Sequence, residues 1–264
     1  MSVLLADRTW PEVREAIERG TVFVVPIGAT EQHGGHLPLE TDWRLCSVAA
    51  ERACRLAAEE GVPALVTPPI WTGFSPHHMD FPGSVTLELS TFIELVSQVA
   101  RSLWHHGARK ILLLNGHGGN ANLLRSAVQQ LRFQHGVRAA AASYWDFVLP
   151  KITGWRRSRP GGIDHACEME TALMLAARPE LVREEHARDA TWFPNSDFLS
   201  GDLAVGAPVA VTFAFSELTE DGILGDPTAS TGERGEELLA AVAERIAAFI
   251  REFYGWDWDR PQTI

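Results

Sequence analysis

Cysteine is sparse in this chain: Cys46, Cys54 and Cys167 are the three it has, and no two form a Cys-x-x-Cys pair. An odd, scattered set speaks against a disulfide framework and fits a reducing compartment. Positive charge is also short. Lysine and arginine together number 23 against 34 aspartates and glutamates, for a formal net charge of −11. An acidic surface repels phosphate backbones and anionic lipid, so neither nucleic acid nor a membrane is expected as a partner. No apolar run reaches membrane-spanning length. Met1 to Trp10 lacks a basic stretch followed by an apolar one, so no secretory signal is visible. There is no internal repeat, no low-complexity tract and no linker. The expectation is a cytoplasmic protein with a single domain over residues 1–264.

What is present is an alternation of strands and helices. Hydrophobic content of 45% and charged content of 22% are those of a globular chain with a large core. Thr9 and Pro11 open a short helix ended by Gly20. Thr21 to Ile27 is an apolar run of strand length, suited to burial on both faces. Helical patterns follow over Asp42 to Glu60, Leu87 to Gly107, Asn120 to Gln134, Ala166 to Ala177 and Thr231 to Phe253. Strand patterns occupy Val62 to Ile70, Lys110 to Leu114 and Val137 to Tyr144. The alternation predicts an α/β fold with a mostly parallel central sheet covered by helices.

Three segments carry chemistry. The first, Gly28 to Asp42, directly follows the first strand, and ligands of open α/β sheets bind beyond the carboxyl ends of strands. Glu31 and His33 are two apart and project to one side of an extended segment, while Asp42 opens the next helix. Taken singly, Asp42 suits a helix cap and His33 a loop. Together, two carboxylates and an imidazole suit zinc, iron or manganese. His36 is a further candidate, supporting the ligands. The second segment, Asn115 to Asn120, sets His117 in a glycine turn after an aliphatic strand. It matches neither a P-loop nor a dinucleotide fingerprint. The third, Asp164 to Thr171, places Glu170 among Ala166, Cys167, Leu173 and Met174 on a helix. A carboxylate on such a stripe needs a positive partner, which a metal would supply. Glu168 has more polar neighbours and could orient a ligand or cap the helix. His165 is placed to donate or accept a proton.

Other candidates are His78, which could line a pocket, and Trp145, which could wall a substrate or simply pack in the core. Lys151, Arg156, Arg157 and Arg159 form one basic cluster in an acidic protein. It suits either a solvated loop or recognition of a substrate carboxylate or phosphate.

These segments resemble the creatininase family of metal-dependent amidohydrolases in Gly-x-Thr-Glu-Gln-His-Gly-x-His-Leu-Pro-Leu-x-Thr-Asp (28–42), Asn-Gly-His-Gly-Gly-Asn (115–120) and His-Ala-x-Glu-x-Glu-Thr (165–171). Phe81-Pro-Gly83 and Gly225-Asp-Pro227 also look like family positions. The resemblance implies a three-layer α/β/α sandwich, often hexameric, with two divalent ions. Zinc is the first choice, with manganese or iron possible at one site. Glu31 and His117 would hold one ion, His33 and Glu170 the other, and Asp42 would bridge them. The implied reaction is hydrolysis of a C–N amide bond in a small cyclic amide or formamide. Metal-activated water would attack and His165 would protonate the leaving nitrogen. The alternatives are a peptidase trimming a small precursor peptide, of the mycofactocin type, and a non-catalytic metal-binding protein on the same fold.

The chain departs from the creatinine-hydrolysing branch of the family in two places. That branch has a Tyr-Glu pair where Gly118 and Gly119 stand here, and a tryptophan at the position of Gly161. Both differences open the site and weaken its grip on a flat ring. Creatinine is therefore expected to be turned over poorly beside a larger amide, such as a formamide or an anion held by Arg156 and Arg157. Steady-state kinetics on the metal-loaded protein checks this, and efficient creatinine turnover overturns it.

Overall fold

The computed structural model describes residues 2–260. In it the apolar runs form a four-stranded parallel sheet of β1 (Val22–Ile27), β2 (Ala64–Val66), β3 (Lys110–Asn115) and β4 (Ala140–Ser143), ordered β2-β1-β3-β4. All six residues of β1 and of β3 are buried, as expected for strands covered on both faces. Alternation divides β1 between two cores. Val22 and Val24 face one, while Phe23, Val25 and Ile27 face the other.

The first face is covered by α2 (Thr41–Glu59), α6 (Glu168–Ala177) and α8 (Gly232–Tyr254). The second is covered by α1 (Trp10–Glu18), α3 (Leu89–His105) and α4 (Ala121–His135). The result is a three-layer α/β/α sandwich. Its helix ends follow local chemistry. Thr9 donates from its N–H and its hydroxyl to Glu12 Oε2 at the start of α1, and Gly136, at a φ of 68°, ends α4 in the left-handed region.

Strand order locates the site. The chain leaves β1 outward to β2, returns to β3 on the other side of β1, then moves outward to β4. The crevice between the carboxyl ends of β1 and β3 is thus the point where the winding reverses, the usual ligand position in such sheets.

Three stretches differ from the sequence expectation. Pro68 and Pro69 lack N–H donors, so the strand expected over Val62 to Ile70 stops at Val66. The helix expected from Ala166 begins at Glu168. Residues Ile163–His165 form β5, paired antiparallel with β6 (Leu224–Gly225), and Ala166 turns the chain at a φ of 50°. Leu149–Trp155 forms α5, which puts Lys151 on a helix rather than in a loop. A last short helix, α7, spans Phe215–Leu218.

Helix α8 presses on the two helices that carry Asp42 and Glu170. Leu239, Val242 and Ile246 are buried with Leu45 of α2 and Leu173 of α6. Burying each such side chain contributes about 1.5–3 kcal/mol. The α6–α8 approach depends on Gly235, where an added methyl would overlap the carbonyl oxygen of Ala172. Gly235→Ala is therefore expected to destabilise the fold by about 1–3 kcal/mol, the usual cost of overpacking. Chemical denaturation measures it, and an unchanged midpoint would refute the packing argument.

Candidate metal centre

Five side chains converge at the crevice. After β1 the chain runs extended, and Gly28 lies so close to the Trp43 backbone that a methyl there would collide with it. The close approach sets the start of α2, and Asp42 with it, against the β1 loop. Glu31 and His33 point inward from that loop. His117 enters from the end of β3, where Asn115 donates to the His117 carbonyl (2.7 Å) and Asn120 bridges Phe74 N and Gly28 O. Glu170 comes from the first turn of α6.

The distances divide these residues into two groups. His117 Nδ1 lies 3.2 Å from Glu31 Oε1 and 3.2 Å from Asp42 Oδ2. His33 Nε2 lies 3.0 Å from Asp42 Oδ1 and 3.6 Å from Glu170 Oε1. Asp42 thus belongs to both groups, offering a different oxygen to each, and the ligand atoms of each group fit within 4.8 Å. All five residues are buried.

The donor chemistry fits divalent ions. Both imidazoles are held by backbone carbonyls on their outer nitrogens, His117 Nε2 by Phe74 O (3.0 Å) and His33 Nδ1 by Glu31 O (3.2 Å). A carbonyl only accepts, so each outer nitrogen carries a hydrogen and the inner nitrogen is the one that faces the cluster, protonated beside the carboxylates alone and a lone-pair donor only toward an ion. Glu31 Oε2 and Glu170 Oε2 have no hydrogen-bond partner, and His33 Nε2 and Asp42 Oδ2 have close neighbours without hydrogen-bond geometry.

The protein's own charges show the same demand for cations. Burial would raise the Glu31 carboxyl, but attraction to His117 and hydrogen bonds from His117 and His78 hold it well below the usual range. Burial would lower His33 and His117, yet Asp42 and Glu170 on the one, and Glu31 and Asp42 on the other, pull them well above it.

Gln32, which the sequence reading passed over, organises the remaining histidines. Its amide is oriented by Gly34 N donating to Oε1 (2.9 Å) and by Gly222 O accepting from Nε2 (3.1 Å). The second amide hydrogen goes to His78 Nδ1 (2.9 Å), so His78 donates from Nε2 to Glu31 Oε1, 3.2 Å away. His78 therefore steadies the Glu31 carboxylate. His165 Nε2 donates to Gln32 O (2.8 Å), which leaves Nδ1 unprotonated and facing Glu31 Oε1 at 3.9 Å. Burial, reinforced by His33 and His78, holds the His165 pKa well below that of a free histidine.

The other candidates take different places. His36 bonds Thr171 Oγ1 (2.9 Å) and so fastens the β1 loop to α6 beside Glu170, and burial lowers its pKa to about 4. Glu168 reaches no candidate ligand. Its buried carboxylate accepts from Arg157 N, Ser158 N and Ser158 Oγ, anchoring the basic loop to α6. Trp145 packs in the core on the α2–α6–α8 side, edge-on to Tyr144. Arg156, expected as a substrate contact, is engaged by its own surroundings. Its guanidinium pairs with buried Asp202 at 2.7 Å and bonds the Ser158 and Arg159 carbonyls, so its donors are used in bracing the loop. Arg157 is exposed and Arg159 pairs with Asp189.

A cavity of about 470 Å³ adjoins the cluster. Phe74, His77, Gly118 and Gly119 line it together with Trp192, Phe213 and Phe215, and the Phe215 ring also lies 4.1 Å from that of His78 and 4.7 Å from that of His165. No lysine or arginine lines it. Asp164, one residue before His165, does. Burial, with Glu170 and Asp202 nearby, pushes the Asp164 pKa up to about 7.

A three-layer fold with a buried carboxylate–imidazole cluster at its winding reversal has the character of a hydrolase, and comparison places the chain in a hydrolase family. The family model for creatininase, described as creatinine amidohydrolase, matches residues 6–250. The mycofactocin precursor peptide peptidase of Mycobacterium tuberculosis (strain ATCC 25618 / H37Rv) is 32% identical, over 84% of this chain and 81% of its own. The creatinine amidohydrolase of Pseudomonas putida is 30% identical, over 95% and 97%. A mutant creatininase structure of the Zn-Zn type superposes with a TM-score of 0.79 at 29% identity, covering 97% of this chain and 100% of that one, and a creatininase structure with Mn does equally well. The chain belongs to the creatininase family.

Asp164 allows a test of the site's electrostatics. Its folded-state pKa of about 7 lies above the ordinary 3.8, so the folded protein keeps this proton while the unfolded chain releases it. The resulting penalty is absent below pH 4, grows up to about pH 7 and is constant above. Asp164→Asn is expected to stabilise the chelator-treated protein at pH 8, by on the order of 2 kcal/mol after allowance for solvent screening, and not at pH 4. Urea denaturation at the two pH values measures this, and equal effects at both would refute it.

Proposed function

We propose that this chain is a dinuclear metal-dependent amidohydrolase that cleaves a C–N amide bond of a small substrate. The observation that carries the reading is Asp42, whose two oxygens face two separate ligand groups. Glu31, His117 and Asp42 would hold one ion, and His33, Glu170 and Asp42 the other. Zinc is the first candidate, since N/O ligand sets of this kind suit it, with manganese or iron as the alternative at one position. When bound, such ions polarise the amide carbonyl and lower the pKa of water.

The chain's own contribution to the reaction is proton handling. His165, fixed through Nε2 by Gln32 O, takes a proton at Nδ1 and delivers it to the departing nitrogen. An amide nitrogen leaves poorly without that proton. Gln32 and His78 keep the acceptor and Glu31 in register. His33 and His78, whose rings lie 4.3 and 4.5 Å from that of His165, help to crowd bulk water away.

A second reading, a peptidase, draws support from the M. tuberculosis relative and from the breadth of the adjoining cavity, which admits a chain end. The homohexamer implied by the family is part of the proposal, and exposed apolar side chains such as Phe198 and Val205 are compatible with it.

Elemental analysis is expected to find about two divalent ions per chain. Glu170→Gln should keep its circular dichroism, retain about one ion and lose roughly 100-fold or more in kcat/KM. An active metal-free enzyme, or a variant with both ions and full turnover, overturns the proposal.

A further inference from the structure

The cavity beside the cluster has a chemical character that the family assignment does not specify. One wall comes from the segment between α6 and β6. Trp192, Phe213 and Phe215 present aromatic rings, and Val209 and Val211 add apolar surface that is about half exposed. The missing side chain of Gly118 leaves open space. Of the side chains lining the cavity, Asp164 is the one carboxylate, and no basic group accompanies it.

Among the described residues, no hydrogen bond or ion pair reaches the Asp164 carboxylate. Asp202, close in the same region, shows what a structural aspartate looks like in this protein. It pairs with Arg156 and accepts from Gly161 N and Ala204 N. A half-buried carboxylate left without partners costs stability, and the neighbouring loop offers arginines that are instead used elsewhere. An anion entering this cavity would meet Asp164 with nothing to offset the repulsion. A cation would meet both the carboxylate and the negative faces of the aromatic rings.

We propose that the cavity selects substrates whose chain beyond the scissile amide is apolar and carries a permanent positive charge, an alkylammonium or guanidinium group, seated between the aromatic wall and Asp164. This reverses the anionic preference expected from the basic cluster in the sequence. It rests on the amidohydrolase reading only for what happens at the amide; the binding preference stands on the cavity itself.

The test is a binding measurement that needs no turnover. Phenylpropyltrimethylammonium and its uncharged tert-butyl isostere have the same shape, and neither can ligate a metal. Both are titrated calorimetrically into the metal-loaded protein at pH 8.5, above the value of about 7 to which burial raises Asp164. The cation is expected to bind about tenfold more tightly than the isostere. Asp164→Asn should shrink that ratio to less than about twofold while leaving the isostere's affinity nearly unchanged, and Phe213→Ala should weaken both ligands. Equal binding of the two probes, a preference that survives Asp164→Asn, or no binding of either probe overturns the proposal. Hydrolysis of a neutral amide series, run in parallel, tests the amidohydrolase reading separately: loss of turnover with the cation preference intact sinks only that reading.

Discussion

Three carboxylates, Glu31, Asp42 and Glu170, are buried within a few ångströms of one another, and among the described residues no lysine or arginine reaches any of them. Unpaired charge in such a place costs several kcal/mol per ion. Among the described residues, the positive charge brought to them is on imidazoles, and the carboxylates pull protons onto two of these. Bound divalent ions would meet the same demand with more charge in less space. Much of the architecture follows from this constraint. The sheet reverses its winding where the loops after β1 and β3 can meet, Gly28 lets α2 close in on that edge, and α8 holds α2 and α6 together so that Asp42 and Glu170 stay in register.

The surroundings divide into a rigid part and a selective part. The loop leading to His165 is tied down by two buried carboxylates, Glu168 from α6 and Asp202 from the next segment, and each takes backbone N–H groups that would otherwise go unsatisfied. These bonds spend the basic cluster on structure. Asp164 precedes both in the sequence and receives none of this support. The contrast among three acidic residues so close together separates holding the loop from facing the cavity.

The candidate ligands were legible in the sequence because their spacing is local. Glu31 and His33 share a side by alternation, Asp42 opens a helix, and His117 sits in a turn after an aliphatic strand. Glu170 stood out because every neighbour on its helix face is apolar. The layers were legible for the same reason, since β1 and β3 are continuous apolar runs. What escaped was decided by residues distant in the chain. The β5 pairing with Leu224–Gly225 delays α6 by two residues, and nothing in the Ala166-Cys167 dipeptide announces it. Arg156 looked available because its partner, Asp202, lies 46 residues away. Trp145 ends its strand like a pocket residue, and only packing against the helical layer assigns it to the core. Gln32 lies between two candidate ligands in the sequence, but the partners that give it a role, His78, His165 and Gly222, are 46 or more residues away.

Gln32 also explains why two histidines alike in sequence come to act differently. His78 and His165 lie against each other, with ring centroids 4.5 Å apart, and both touch the same glutamine. A side-chain amide has two hydrogens, and one is committed to Gly222 O. The other can satisfy one imidazole nitrogen, and His78 Nδ1 receives it because His165 Nε2 has the Gln32 carbonyl as an alternative partner. His78 must then direct its own hydrogen at Glu31, and His165 must present a lone pair to the cluster. One residue with no charge of its own thus determines which histidine donates to Glu31 and which turns an unprotonated nitrogen toward the cluster.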